Sequence, residues 1–459
     1  MFEKYYQGEK PLFRTYAYAA PGYEQGDYIY GQPRKLGLAT KENYEIYKAI
    51  GFNMVFSGTV GTYYGEDWET SVCKKVMDEV YAAGIDKYIV GDQAFYELSC
   101  QADGIVGEGK RFATEQDLDA FVANRIKDYS KHPAFYGVYL KDEPHHYLFK
   151  SFGQLYRSIK RACPTAFVYC NLLPLDTLRW MDERYPKGGD LLDRRTKYLE
   201  KFLDETGADY IMYDDYPFCF HKENKIYYIL CLQNAAALCR DRGIEFNFVA
   251  QSTSMKIGGI DYYWKPSEQE MRYQMHLLLG FGIKDMGFFT YLPHGNNDLG
   301  EGFQNDSAMV TAQGERLQLY YDTQKVLAEL QDILPVVLKF TYRHSGYAVA
   351  SFYSFLKQLD FAKNERLDNV TSFETDKEGV LVNELYNEAN GDYLYRVINM
   401  TDTRVEEMQG AVQTTKLHFK DGYTRADVFQ DGKWTTVALD GGELTIQLLA
   451  GDAAYILIY

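Results

Sequence analysis

The chain lacks most of the signatures that announce a nucleotide, a metal or a nucleic acid. No GxGxxG opens a helix after a strand, and neither GxxxxGK[ST] nor a GxSxG elbow occurs, so dinucleotide, P-loop and hydrolase-elbow chemistry are excluded and no cofactor is expected. The seven cysteines (73, 100, 163, 170, 219, 231 and 239) are odd in number and never spaced CxxC, which argues against both a zinc knuckle and a disulfide framework. Most lie inside apolar patterns and read as small buried hydrophobes. No HExxH or HxH spacing accompanies the adjacent His145 and His146, so no metal is expected there. Positive charge is scarce: 49 Lys and Arg against 65 Asp and Glu leave a net charge of −16. That balance repels phosphate backbones and anionic lipid, so neither nucleic acid nor membrane is an expected partner. No stretch approaches a membrane span, and the opening MFEKYYQGEKPLF has no basic region followed by an apolar run, so the expected address is the cytoplasm.

What the chain has in abundance is aromatic side chains, 42 Tyr and 27 Phe in 459 residues. Many must fill a core, yet Tyr63 and Tyr64, Phe95 and Tyr96, and Tyr262, Tyr263 and Trp264 cluster after strand patterns, where rings suit a ligand-facing surface. Short β-rich runs at 15–20, 54–59, 87–92, 135–142, 166–171, 210–215, 246–251 and 286–291 alternate with amphipathic helical patterns. Thr40 and Thr114 carry N-cap signals, and Gly51, Gly84, Gly207 and Gly243 each fall between a helical pattern and the next strand, as C-caps do. Eight such units predict a (β/α)8 barrel over residues 1–335, its last helix spanning 315–334 and ending at Pro335. Beyond it, short alternating runs separated by turns such as Asp421-Gly422 and Asp431-Gly432 predict a C-terminal β-sandwich over 336–459. The fold class is therefore α/β, a TIM barrel followed by an all-β domain.

In a parallel barrel the carboxyl ends of all strands open at one mouth, so acids placed there face whatever the mouth holds. The fourth run, FYGVYLKDEP, ends in Asp142, Glu143 and Pro144. A neighbouring anion and burial by rings would both disfavour ionisation of Glu143 and keep a proton available on it near neutrality. The plainer alternative is a Glu-Pro turn with a solvated carboxylate.

The run HPAFYG from His132 to Gly137, followed by Asp142-Glu143-Pro144, resembles the fourth-strand motif of clan A glycoside hydrolases, which include cellulase-like and family 42 β-galactosidase enzymes. The resemblance implies a glycosidase acting on an oligosaccharide or glycoside, with Glu143 as acid/base and Asp142 contacting a sugar 2-hydroxyl. Two positions depart from the clan's pattern. Asp142 stands where the clan has Asn, and the strand-seven site of the nucleophilic Glu is here Gln251, an amide that cannot attack an anomeric carbon.

A second carboxylate can come from elsewhere. Asp214 and Asp215 at the end of the sixth run place an acid at the mouth, and strand alternation lets only one point inward, Asp214 being chosen. Asp142 and Glu143 could instead orient an N-acetyl group that itself attacks, as in substrate-assisted hexosaminidases. Loop acids Asp261, Asp298 and Glu301 are a third source, although such acids are usually just solvated. Asp92, Asn171, Gln251, Tyr291, His294, Tyr213 and Trp264 are expected to contact the substrate. A contrasting reading is a barrel that binds carbohydrate without cleaving it.

Overall fold

The eight barrel strands are short because each crosses one barrel wall, and most positions in them are apolar because both faces are covered. They are β1 (Arg14–Ala17), β2 (Val55–Phe56), β3 (Tyr88–Gly91), β4 (Phe135–Asp142), β5 (Phe167–Asn171), β6 (Tyr210–Asp214), β7 (Glu245–Gln251) and β8 (Asp285–Phe289). The computed structural model describes residues 1–22, 28–29, 32–33, 37–56, 61–174, 182–220, 223–257, 259–293, 303–348, 366–376, 379–401 and 412–459. All pairings between these strands are parallel, β2 to β5 in sequence and β6, β7, β8, β1 in sequence. The two halves join where Leu172 N donates to Met212 O (2.9 Å) and where Asn53 N and Met54 N share Thr15 O (3.0 and 3.2 Å). This is the (β/α)8 barrel.

Helices α1 (Lys41–Ala49), α2 (Val72–Ala82), α3 (Gln93–Ser99), α4 (Glu115–Ile126), α5 (Phe149–Ala162), α6 (Leu191–Thr206), α7 (Glu223–Arg242), α8 (Glu268–Gly280) and α9 (Gln318–Leu330) return the chain between strands. Thr40 caps α1 by accepting from Asn43 N, Thr114 and Asp117 form a capping box on α4, and Gly207 ends α6 in the left-handed conformation. One boundary differs from expectation. The last helix does not end at Pro335; α9 stops at Leu330, and Pro335 lies in the first turn of α10 (Leu334–Val337), where its missing N–H is no loss. A three-stranded antiparallel sheet (Ser254–Ile257, Ile260–Tyr263 and Phe303–Ser307) rises from the segments that follow β7 and β8.

The barrel interior is packed in aromatic layers. At its amino-terminal end Arg14 donates to Asp285 (2.9 Å) and Glu245 (2.6 Å) and lies over the Phe167 ring. Above it Tyr16 crosses the axis, packed on Phe56 and Tyr169. This crossing needs Gly287, because a Cβ there would stand 2.7 Å from Tyr16 Cζ.

After α10 the described residues form nine antiparallel strands: β9 (Thr341–Ala348), β10 (Val370–Thr375), β11 (Val380–Asn387), β12 (Asp392–Asn399), β13 (Gln413–Phe419), β14 (Arg425–Gln430), β15 (Lys433–Ala438), β16 (Glu443–Leu448) and β17 (Ala453–Ile458). They make a six-stranded sheet, β9-β11-β12-β17-β14-β15, facing a three-stranded one, β10-β13-β16. Val380, Val382, Val397, Ala454 and Ile456 fill the space between the sheets, while the alternate residues Leu381, Leu385, Leu394, Ile398, Tyr455 and Leu457 join the barrel's own hydrophobic cluster. The first turn, Phe2–Tyr6, packs on these strands, with Phe2 stacked on Trp434 at 4.9 Å.

Gly287→Ala is expected to destabilise the chain by about 1–3 kcal/mol through crowding of Tyr16. Urea unfolding checks this, and adding Tyr16→Leu should recover part of the loss.

Candidate active site

Two irregularities of the β4 backbone bring its terminal acids onto the barrel axis. Tyr139 pairs with Tyr169 across β4–β5, and both rings point inward against Phe56. Two residues later Lys141 pairs with Cys170, so the register slips by one at Leu140 and inverts the alternation. Lys141 consequently points outward, its Nζ 3.3 Å from Tyr96 Oη, and Asp142 turns inward opposite Asn171. Glu143 should then face away, but its φ of +45°, a left-handed value that costs a non-glycine residue about 1–3 kcal/mol, turns it back toward the axis. Its N–H is anchored to Asn171 O at 2.8 Å.

A column of phenols leads up to Asp142. Tyr16 Oη donates to Tyr169 Oη (3.0 Å), Tyr169 Oη to Tyr18 Oη (2.9 Å), and Tyr18 Oη to Asp142 Oδ1 (3.1 Å). Burial holds all three hydroxyls far above their ordinary pKa, so they stay protonated and act as donors. From β6, Asp214 is nearly buried, accepts from Asn171 Nδ2 at 2.7 Å and is hydrogen-bonded by Tyr216. Tyr216 stacks on Phe289, which also packs against Tyr18. The Asn171 amide oxygen is buried and accepts no hydrogen bond among the described residues.

Asp142, Glu143 and Asp214 therefore share one field. Glu143 is pushed far above the ordinary carboxylate range by burial, then by the charges of Asp214 and Asp142, with Arg184 opposing. Asp214 is pushed up to about 7 by burial and by Asp142. Asp142 is raised by burial despite the bonds from Asn171 and Tyr18. Asp142 keeps an exposed edge and the Glu143 side chain is 28% exposed, so protein surrounds both acids without sealing them, as at the floor of a recess. The Arg184 contact, Nη1 to Glu143 Oε2 at 3.4 Å, is long and single, and leaves Oε1 with no hydrogen bond among the described residues.

The other expected site residues are placed differently. Asp215 points to the helix layer, accepting from Tyr216 N at 2.9 Å and acting on the buried Arg195, Tyr213 and Tyr228. Tyr213 faces the same layer, with Arg195 4.0 Å above its ring, as alternation along β6 requires once Met212 and Asp214 point inward. Asp92 is buried with both carboxylate oxygens accepting from Arg125 Nε (3.0 and 2.8 Å), caps α3 and accepts from Tyr129, so it holds the wall. Gln251 is wholly buried: its Oε1 accepts from Phe218 N, and its Nε2 donates to the carbonyls of Phe218, Thr253 and Trp264. It is a clamp between two mouth loops. Tyr291 is buried against Tyr47, and the Trp264 indole N–H bonds Glu270 (2.9 Å) while its ring packs on Phe218 and Phe220. Of the clustered aromatics, Tyr63, Phe95 and Tyr262 are buried, whereas Tyr64 and Tyr96 are exposed. His294, with Asp298 and Glu301, lies outside the described residues. Asp261 is exposed and pairs with Lys256 at 3.4 Å.

Tyr18, Tyr169, Tyr216 and Arg184 were not singled out from the sequence. The alternation of Tyr16 and Tyr18 in an inward-facing strand end was a usable signal for Tyr18. Arg184 comes from a one-turn 3-10 helix, Asp182–Arg184, between β5 and α6, and had none.

No protein-family model matches the chain, and no curated protein does. Among solved structures it is similar to a glycoside hydrolase family 5 protein from Bacteroides vulgatus, with a TM-score of 0.53 at 11% identity over 98% of this chain and 89% of the other. An Anoxybacillus alpha-amylase (TM-score 0.49, 12% identity, 97% of each chain) and a family 27 β-L-arabinopyranosidase from Geobacillus stearothermophilus (0.49, 11%, 99% of this chain and 98% of the other) are similar over comparable lengths. At these identities the likeness is one of fold. Among the described residues, no helix is long and apolar enough to cross a membrane.

Folding raises the Glu143 pKa above its unfolded value of about 4.3, so the fold favours the protonated form, and stability is lost as pH rises through the folded value. Glu143→Gln cannot ionise and escapes that loss. It should raise the melting temperature at pH 8 by roughly 1–3 °C relative to wild type, with a smaller gain at pH 4, measured by scanning calorimetry.

Proposed function

We propose that the chain is a glycoside hydrolase acting on O-glycosidic bonds of an oligosaccharide or glycoside, with Glu143 as proton donor. The observation that carries this reading is the grouping of Glu143, Asp142 and Asp214 at the carboxyl end of the barrel, where burial and mutual repulsion keep a proton on Glu143. Bond cleavage needs an acid to protonate the departing oxygen and a base or nucleophile to complete the exchange at the anomeric carbon. Glu143 supplies the proton. Asp214, oriented by Asn171 and Tyr216, is the second carboxylate and activates water or attacks directly. The exposed edge of Asp142 suits sugar hydroxyls.

One observation favours a second reading. Strand seven offers no carboxylate at its end, since Gln251 is buried and fully bonded, while Asp142 and Glu143 lie side by side at the axis. That pair fits a mechanism in which an N-acetyl oxygen attacks, Asp142 holds the amide and Glu143 protonates the leaving oxygen.

A panel of nitrophenyl glycosides, including N-acetylhexosaminides, tests both. Glu143→Gln should lower kcat by about 100-fold or more on any accepted substrate. Asp142→Asn separates the readings. With Asp214 as second carboxylate, activity persists, and removing the Asp142 charge lowers the Glu143 pKa and moves the alkaline limb of the kcat/KM profile to lower pH. With substrate assistance, turnover of N-acetylated substrates is lost. Absence of turnover on every glycoside, with oligosaccharide binding retained, would overturn the enzymatic reading in favour of a non-hydrolytic binding barrel.

A further inference from the structure

A second group of ligating side chains lies in the β domain, far in sequence from the barrel's acids. His344 on β9 and Glu384 on β11 are cross-strand partners, and Asp368 approaches from the connection that enters β10. One nitrogen or oxygen from each lies within 4.8 Å of the other two. The pairing of β9 with β11 slips between Tyr342 and His344, so Arg343 is the extra residue of a bulge that sets His344 opposite Glu384.

The two carboxylates are held from behind. Tyr395 Oη and Asp368 N donate to Glu384 Oε2 (3.0 and 2.7 Å), and Tyr393 Oη donates to Asp368 Oδ2 (3.1 Å). Glu384 Oε1 is different. Its side chain has no exposed surface, and among the described residues this oxygen accepts no hydrogen bond; Arg343 Nε stands 4.0 Å away. A buried carboxylate oxygen without a donor is costly unless a cation completes it. Arg343 serves only in part, since its Nη2 pairs with Asp368 Oδ2 at 2.9 Å.

We propose that His344, Asp368 and Glu384 form a binding site for a divalent transition metal, of which zinc is the best match. An imidazole with two carboxylates suits borderline-soft ions. In a tetrahedral site with bonds of about 2.1 Å the ligand atoms stand about 3.4 Å apart, so the present cluster, within 4.8 Å, must close by up to about 1.4 Å. Asp368, outside the strand ladder, is the ligand free to move. His344 and Asp368 are half-buried, which leaves a position for water. Arg343 is then displaced by the ion and has a place to go, its Cζ already 5.0 Å from the Tyr386 ring centroid and 5.7 Å from that of Tyr393. Tyr393 and Tyr395 act as the outer hydrogen-bonding shell that orients the ligands. The site braces the entry to β10 against the six-stranded sheet and is independent of the chemistry at the barrel mouth.

The test is a calorimetric titration of the full chain, stripped with EDTA, with zinc chloride, alongside thermal unfolding. One equivalent of zinc should bind and raise the melting temperature. His344→Ala and Glu384→Gln should each remove that equivalent or weaken it at least tenfold, while Arg343→Ala, which removes the competing cation, should tighten it. Circular dichroism of the metal-free variants checks that they remain folded. Lack of zinc uptake by wild type, or uptake unchanged in both His344→Ala and Glu384→Gln, overturns the assignment.

Discussion

The constraint on which the barrel mouth depends is the repulsion among three carboxyl groups gathered at the carboxyl end of the strands. Asp142 and Asp214 raise the proton affinity of Glu143, and Asp142 does the same to Asp214. Donors meet this cluster from several directions: the tyrosine column from below, the Asn171 amide from β5, Tyr216 from the loop after β6 and Arg184 at the rim. None neutralises it. A site that holds acids together without compensating them stores a standing preference for bound protons, and a proton donor requires that preference.

The stacked tyrosines account for one part of the aromatic excess. A barrel axis lined by Tyr16, Tyr169, Phe56 and Tyr139 is filled by few large rings, and each phenol needs a partner once buried. The partners are other phenols, so the hydrogen bonds form a chain and not a set of pairs. It ends on Asp142 because only an acceptor can close it. Packing in the interior and polarity at the mouth are thus parts of one arrangement.

The barrel was legible because its punctuation repeats. All eight strands fall within a few residues of the expected runs, and Thr40 and Thr114 cap the helices they precede. In the second domain, β9, β10, β11 and β13 were not individually read; β11, for one, carries apolar residues on both faces and loses simple alternation. At the site, the positions of Asp142, Glu143 and Asp214 at strand ends were readable, but the slip at Leu140 and the left-handed Glu143 were not. Both depend on pairing with β5, which no local pattern encodes. Asp92, Gln251 and Tyr213 show the converse limit: a polar residue emerging from a strand looks the same in sequence whether it meets a ligand, a guanidinium or a neighbouring loop's backbone.

The six-stranded sheet lies between two hydrophobic clusters, alternate residues of β11, β12 and β17 entering the barrel's core on one side and the sandwich core on the other. Such a shared layer has no unfolded neighbour it can tolerate. Losing the barrel would bare Leu381, Leu385, Leu394 and Leu457, and losing the three-stranded sheet would bare Val380, Val382, Val397 and Ile456. The consequence is thermodynamic: barrel and β-module are expected to melt as a single cooperative body, so damage far from the mouth, in the outermost strands, should lower the temperature at which the mouth itself is lost.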